Sequence, residues 1–132
     1  MLAHAPVVGF VPVSDTAAAE RFYAGLLGLH VVDRSPFAVV VASANGAKIR
    51  CALTSGASAQ PFTILGWEVV DIHASVKELR NRKIEPIVYP HFKQDEDGVW
   101  TAPSAALVVW FHDPDGNVLS LSQHEAAGAA KQ

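Results

Sequence analysis

W-F-H-D-P-D-G-N-V-L-S-L-S-Q, residues Trp110 to Gln123, reads as two strands joined by a tight turn. Pro114 presets the first central position of the turn. Asp113 and Asp115 have side chains that hydrogen-bond nearby backbone, and Gly116 can take the left-handed conformation that closes a three-residue hairpin loop with a bulge. In that register Asp113 faces Asn117. Trp110, His112, Val118, Ser120 and Ser122 then share one face, and Val109, Phe111, Leu119 and Leu121 share the other. The second set is wholly apolar and the first is mixed, which is the pattern of a sheet covered by helices on one side only. The mixed face meets either a ligand or bulk water, and the hairpin alone leaves both readings open.

Working outward, the chain before this hairpin repeats one pattern twice. Val7 to Val13 is an apolar run ending at Ser14-Asp15, a helix N-cap signal. In the helix that follows, Ala19, Phe22, Tyr23 and Leu26 form the inward stripe, and Gly28 is its stop. Three β-branched runs come next, L-H-V-V-D-R, F-A-V-V-V-A-S and A-K-I-R-C-A-L-T, separated by Ser35-Pro36 and by the hairpin signal Asn45-Gly46. After a Gly, Ser and Ala-rich connector the order starts again with T-I-L-G-W-E-V-V-D. Asp71 caps a second helix whose inward stripe is Ile72, Val76 and Leu79 and which ends near Lys83. Strands are expected at Glu85 to Tyr89, briefly at Trp100, at Leu107 to His112 and at Val118 to Gln123. The tail from Glu125 reads as frayed.

Composition narrows the possibilities. A chain of 132 residues, 50% hydrophobic and 17% charged, suits one globular domain with a sizeable core. A net charge of −3 without a basic run argues against a nucleic-acid partner, and no apolar run is long enough to span a membrane. The start of the chain lacks the basic flank of a secretory signal, and one cysteine, Cys51, cannot form an internal disulfide. A cytoplasmic location is the expectation.

The paired βαβββ modules, with S-D-T-A-A-A-E-R-F-Y-A-G-L-L-G-L (14–29) in the first and F-H-D-P-D-G-N in the second, resemble the vicinal oxygen chelate superfamily of glyoxalases, bleomycin-resistance proteins and extradiol dioxygenases. The resemblance implies an α+β fold in which two βαβββ modules form an open, curled eight-stranded mixed sheet with helices on the convex side, usually as a homodimer. It implies one domain over 1–132, with module one at 5–54, a connector at 55–61 and module two at 62–124. Enzymes of the superfamily hold a divalent metal through His, Gln or Glu on particular strands. The corresponding positions here are Val8, Ala52, Ile64 and Ser120, none a usual ligand, and a slip of one residue brings in no His or carboxylate. The resemblance is therefore to the metal-free, ligand-sequestering branch typified by bleomycin-resistance proteins. It implies no cofactor, no catalytic residue and a planar or aromatic organic ligand or antibiotic in a concave cleft.

The candidate ligand-binding residues are Phe10, Arg50, His91, Trp100, Trp110 and Ser120. Arg50 suits a carboxylate, phosphate or phenolate, the alternative being a rim ion pair with an acid such as Glu68. Phe10 and Trp110 offer flat walls to a planar ligand, or fill the core or a dimer contact. Tyr89, His91, Phe92 and Trp100 flank the irregular loop before the last two strands and either close over a ligand or anchor a surface loop. Trp67 and Cys51 read as core. Asp95, Glu96 and Asp97 form a solvated acidic loop, or one attractive to a cationic drug. Two other functions stay open: a lyase, isomerase or dioxygenase relative that works without metal or with one held by residues such as His91 and His112, and an interaction module whose cleft is filled by its own side chains.

Overall fold

The computed structural model describes residues 1–124, so the expected frayed tail from Glu125 lies outside the described residues. The fold is α+β, with eight strands hydrogen-bonded as two four-stranded mixed sheets. Two compact units contain them: residues 1–59 with 113–116, and residues 60–112 with 117–124.

In the first unit β1 (Val8–Val13) leads to α1 (Thr16–Glu20), and β2 (His30–Ser35), β3 (Ala38–Ala42) and β4 (Lys48–Leu53) follow. The sheet order is β1-β4-β3-β2, with β1 parallel to β4 and the other pairs antiparallel. Asp15 caps α1 by accepting from the backbone N–H groups of Ala17 and Ala18. The helix does not stay α, because residues Arg21–Leu26 form a π-helical segment ended by Gly28 in the left-handed conformation. Its wider turn moves the inward stripe by one residue. Ala19, Phe22 and Tyr23 are buried as expected, but Leu26 is 38% exposed, a correction to the regular 3.6-residue reading. Beneath the helix lie Val11, Val13, Val39, Val41, Ile49 and Cys51, from one face of the sheet. Burial, and secondarily Asp113, pushes the Cys51 thiol up to about 12, so it is an inert core group.

Residues 113–116 belong to this unit because two of their carboxylates are engaged in it. The Tyr23 hydroxyl donates to Asp113 at 2.7 Å, and Asp115 accepts from the backbone N–H of Ser14 at 3.1 Å. Asp113 also accepts from the N–H of Asp115, and Gly116, at φ 81°, donates to the carbonyl of Asp113, as the turn reading requires.

In the second unit β5 (Thr63–Glu68) leads to α2 (Ile72–Asn81), capped by Asp71, then to β6 (Trp100–Thr101), β7 (Leu107–His112) and β8 (Val118–Gln123). Its order, β5-β8-β7-β6, repeats that of the first unit strand for strand. Val109, Phe111, Leu119 and Leu121 are buried against α2, whose Ile72, Val76 and Leu79 face inward, and Trp67 stacks on Phe111 with centroids 6.4 Å apart. No strand forms at Glu85 to Tyr89, which corrects the sequence expectation. Pro86 and Pro90 lack the N–H groups a ladder needs. One bond survives, from the N–H of Ile87 to the carbonyl of Trp110 at 2.8 Å.

Candidate functional site

The segment that failed to become a strand is held by a side chain. The Gln94 carboxamide accepts from the N–H of Tyr89 at 2.8 Å and donates to the carbonyls of Ile87 and Gly98, each at 2.8 Å. One amide thus serves two flanks of the loop, as a neighbouring strand's peptide would. Gly98 tolerates this course because its φ of 76° suits glycine and because a Cβ there would meet the Cβ of Pro86 at 2.7 Å.

Outward of Gln94 the loop is tied to α2 by charge. His73 Nε2 lies 2.9 Å from Asp95 Oδ2, and Arg80 reaches Asp97 at 2.9 Å, Glu85 at 3.2 Å and the carbonyl of Glu96 at 3.0 Å. Asp95 also accepts from the N–H groups of Asp97 and Val99. The hydrogen bond to Asp95 raises the His73 pKa above its usual value, against a smaller opposing effect of burial. Desolvation works to raise the Asp95 carboxyl, yet the hydrogen bonds from His73, Val99 and Asp97 together hold it below the usual range. The acidic loop is solvated at Asp95 and Glu96, as expected, while Asp95 and Asp97 are also partnered by α2.

Inward of Gln94 these ties gather five rings. Trp100 pairs with Val108 across β6 and β7, which puts it on the face of Trp110, and their centroids are 5.9 Å apart. Phe92 stacks on Trp110 at 5.2 Å and 12° and meets Trp100 at 4.7 Å. Tyr89 stands edge-on to Trp110 at 5.3 Å, and His91 lies 4.5 Å from Phe92. All are half-buried except His91, which is exposed. Beside Trp110, in register, are Ser120 and then Gly66. The Ser120 hydroxyl overhangs Gly66, where an added Cβ would come within 2.8 Å of it. The hydroxyls of Ser120 and Tyr89 and the indole N–H groups of Trp100 and Trp110 form no hydrogen bond among the described residues. The face is a cluster of rings packed on one another at interplanar angles from 12° to 85°, edged by polar groups that form no hydrogen bond among the described residues.

Phe10 and Arg50 belong to the first unit. They are register partners on β1 and β4, on the face away from α1, and Phe10 is 67% exposed. Arg50 forms no ion pair within its unit among the described residues, and Glu68 lies 3.8 Å from His124 in the second unit. Of the six candidates, the structure brings His91, Trp100, Trp110 and Ser120 to the second unit's face and Phe10 and Arg50 to the first unit's.

The residues at hand do not fit a divalent metal. Val8, Ala52 and Ile64 carry no donor, the register partners of Ser120 are a glycine and a tryptophan, and among the described residues no three His, Cys, Asp or Glu side chains stand close enough to share an ion. His91 contacts Tyr89 and Phe92, while His112 is exposed at the end of β7.

Sequence reasoning missed Gln94, His73 and Arg80. The first carries no periodic signal. The other two were legible as cations on a helix preceding an acidic loop.

Residues 3–121 match the family model described as the Glyoxalase/Bleomycin resistance protein/Dioxygenase superfamily. No curated protein matches. Among solved structures, a member of the same superfamily from Sphaerobacter thermophilus aligns with a TM-score of 0.72 at 21% identity, covering 94% of this chain and 100% of that one. A lactoylglutathione lyase from Agrobacterium tumefaciens aligns with a TM-score of 0.70 at 17% identity, covering 97% and 99%. A glyoxalase/bleomycin resistance protein/dioxygenase from Alicyclobacillus acidocaldarius aligns at 0.69 and 18%, covering 93% of each chain. At these identities the likeness is one of fold.

Proposed function

The chain belongs to the glyoxalase, bleomycin resistance protein and dioxygenase superfamily, and from that premise we propose that it is a binding protein that sequesters a planar aromatic molecule, an antibiotic or metabolite, without a metal ion. The observation that carries the reading is the ring platform of Trp110, Phe92 and Trp100, bordered by the uncommitted Ser120 hydroxyl. A flat ligand gains apolar burial on such a surface, and each well-placed ring pair adds about 0.5–1.5 kcal/mol. The positions occupied by Val8, Ala52 and Ile64, with Ser120 the one hydroxyl among the four, support a metal-free mode, since aliphatic side chains cannot replace the water an ion sheds.

The working form is a homodimer of the usual isologous kind, with a second copy covering some of the apolar surface exposed at Phe37, Phe62 and Val88. The single thiol fits a reducing compartment such as the cytoplasm.

A thermal-shift screen with aromatic acids, antibiotics and metabolites tests the reading, because a ligand that binds only the folded chain raises its Tm by mass action. A saturable shift that Trp110→Ala abolishes is expected. Elemental analysis finding about one Mn, Fe, Co, Ni or Zn per chain, removable by chelator and lost in a His91→Ala, His112→Ala variant, would move the protein to the enzymes of its superfamily.

A further inference from the structure

We propose that Asn45 is a modification site, where the side-chain amide is lost to attack by the Gly46 backbone nitrogen with help from the Ser43 hydroxyl. Residues 43–47 join β3 to β4. The turn is closed by the N–H of Ser43 on the carbonyl of Ala47 at 3.0 Å and by the N–H of Gly46 on the carbonyl of Ser43 at 3.1 Å. Asn45 and Gly46 are exposed, and a Cβ on Gly46 would meet nothing within 4 Å, so the peptide between them is open to water and base. Glycine adds no side chain to screen that nitrogen.

The carboxamide of Asn45 is placed for the reaction. Its Oδ1 accepts from the Ser43 hydroxyl at 2.5 Å and from the N–H of Ala47 at 3.2 Å. The second bond folds the side chain back over the Gly46 peptide that lies between the two residues. Both donors sit where negative charge develops when a nucleophile adds to Cγ, as in an oxyanion hole. The Ser43 hydroxyl also lies 3.5 Å from the carbonyl of Ala47, and its shorter bond is the one to Asn45. Once the bond from Gly46 to Ser43 opens, which needs only local loosening of an exposed turn, the Gly46 nitrogen gives its proton to hydroxide and bonds to Cγ. The Cγ–Nδ2 bond breaks, ammonia leaves with a proton from water, and a five-membered succinimide remains. Water then opens the ring at either carbonyl to give aspartate or isoaspartate at position 45.

The chain's other comparable sites lack this chemistry. Asp97 before Gly98 and Asp115 before Gly116 carry carboxylates, which resist nucleophiles and have no ammonia to lose, and which are engaged by Arg80 and by the N–H of Ser14. Asn81 and Asn117 precede Arg82 and Val118, whose side chains crowd the attacking nitrogen, and Asn117 is 2% exposed. The product makes the formal net charge of −3 one unit more negative and puts a carboxylate in the turn before Lys48, the exposed first residue of β4. The inference goes beyond the ring platform and uses no residue of it.

Incubation of the full chain in mildly alkaline buffer, read by isoelectric focusing and by mass spectrometry of its peptides, tests the site. A more acidic form should accumulate, its mass gain of about 1 Da confined to the peptide that holds Asn45, with part of the product a substrate for isoaspartyl methyltransferase. The rate should rise about tenfold for each pH unit, as the ionised fraction of a group far below its pKa does. Asn45→Gln, which would have to close a less favourable six-membered ring, should abolish the acidic form. Ser43→Ala should slow conversion about fivefold, the factor one neutral hydrogen bond is worth, in a chain whose urea unfolding shows it still folded. An Asn45 that stays intact while a free peptide of residues 43–47 converts, conversion first at Asn81 or Asn117, an acidic form that survives Asn45→Gln, or a Ser43→Ala rate equal to or above that of wild type would each overturn the proposal.

Discussion

The indole of Trp110 and the ring of Phe92 lie 12° from parallel with centroids 5.2 Å apart, one on a central strand and the other on a loop without regular structure. Stacking alone does not place a loop residue so accurately. Gln94, two positions beyond Phe92, does so by bonding both flanks of the loop.

Gln94→Ala should therefore lower stability by about 1–3 kcal/mol, since it leaves half-buried backbone groups unpaired. It should also loosen the rings. Urea unfolding measures the first effect and near-ultraviolet circular dichroism of the tryptophans the second. An unchanged tryptophan spectrum would show that the stack forms without the amide.

The tie between His73 and Asp95 gives stability a pH window. The His73 pKa is raised on folding, so its contribution is complete below about 6.5 and fades as pH rises through the raised value; that of Asp95 is lowered, so its contribution is complete above about 3.9 and fades as pH falls through the lowered value. Between these limits wild type should exceed His73→Asn, and the gap should narrow as pH rises through the raised His73 value. Both side chains are nearly half exposed, so solvent screening keeps the gap within about 1 kcal/mol. Urea unfolding of both proteins at about pH 5.5 and 8.5 checks the sign.

Tyr23 donates to a carboxylate that is only 5% exposed. Burial first, and then Asp113, push its phenol far above the usual value, so it stays protonated and keeps donating throughout the range in which the chain is folded. Tyr23→Phe removes that donor and should cost about 1–3 kcal/mol in urea unfolding. Ultraviolet titration of the native protein should show Tyr23 resisting ionisation until the chain unfolds.

Gly66→Ala brings a methyl group to 2.8 Å from the Ser120 hydroxyl and 3.1 Å from its carbonyl oxygen. The hydroxyl can turn away, but the carbonyl is part of β8. Destabilisation of about 1–3 kcal/mol is expected. Adding Ser120→Ala should recover only part of it, and a double-mutant cycle gives the fraction. Full recovery would mean that the backbone had yielded.

Much of this architecture was legible because it rests on local chemistry that leaves a mark in the letters. Asp15 and Asp71 announce helix starts, Gly116 and Gly46 announce turns, and alternation along Trp110 to Gln123 assigns each side chain to a face. The platform was half legible, because Trp110 and Trp100 lie on strands whose parity can be counted. Phe92 and His91 required the course of a loop that no period describes. The segment Glu85 to Tyr89 misled for a related reason: its apolar residues look like a strand, while Pro86 and Pro90 remove the donors and a distant side chain takes the strand's place. Leu26 misled because a helix that changes pitch midway keeps its composition and loses its phase.

The amide of Gln94 has one more consequence, for how this protein can diversify. Residues 91–93 lie between its two bonds to Ile87 and Tyr89 on one side and Gln94 itself on the other, and none of their side chains forms a hydrogen bond among the described residues. The loop is a frame with an interchangeable insert. Mutations at 91 and 92 can exchange one ring for another while the frame that sets their position is inherited unchanged.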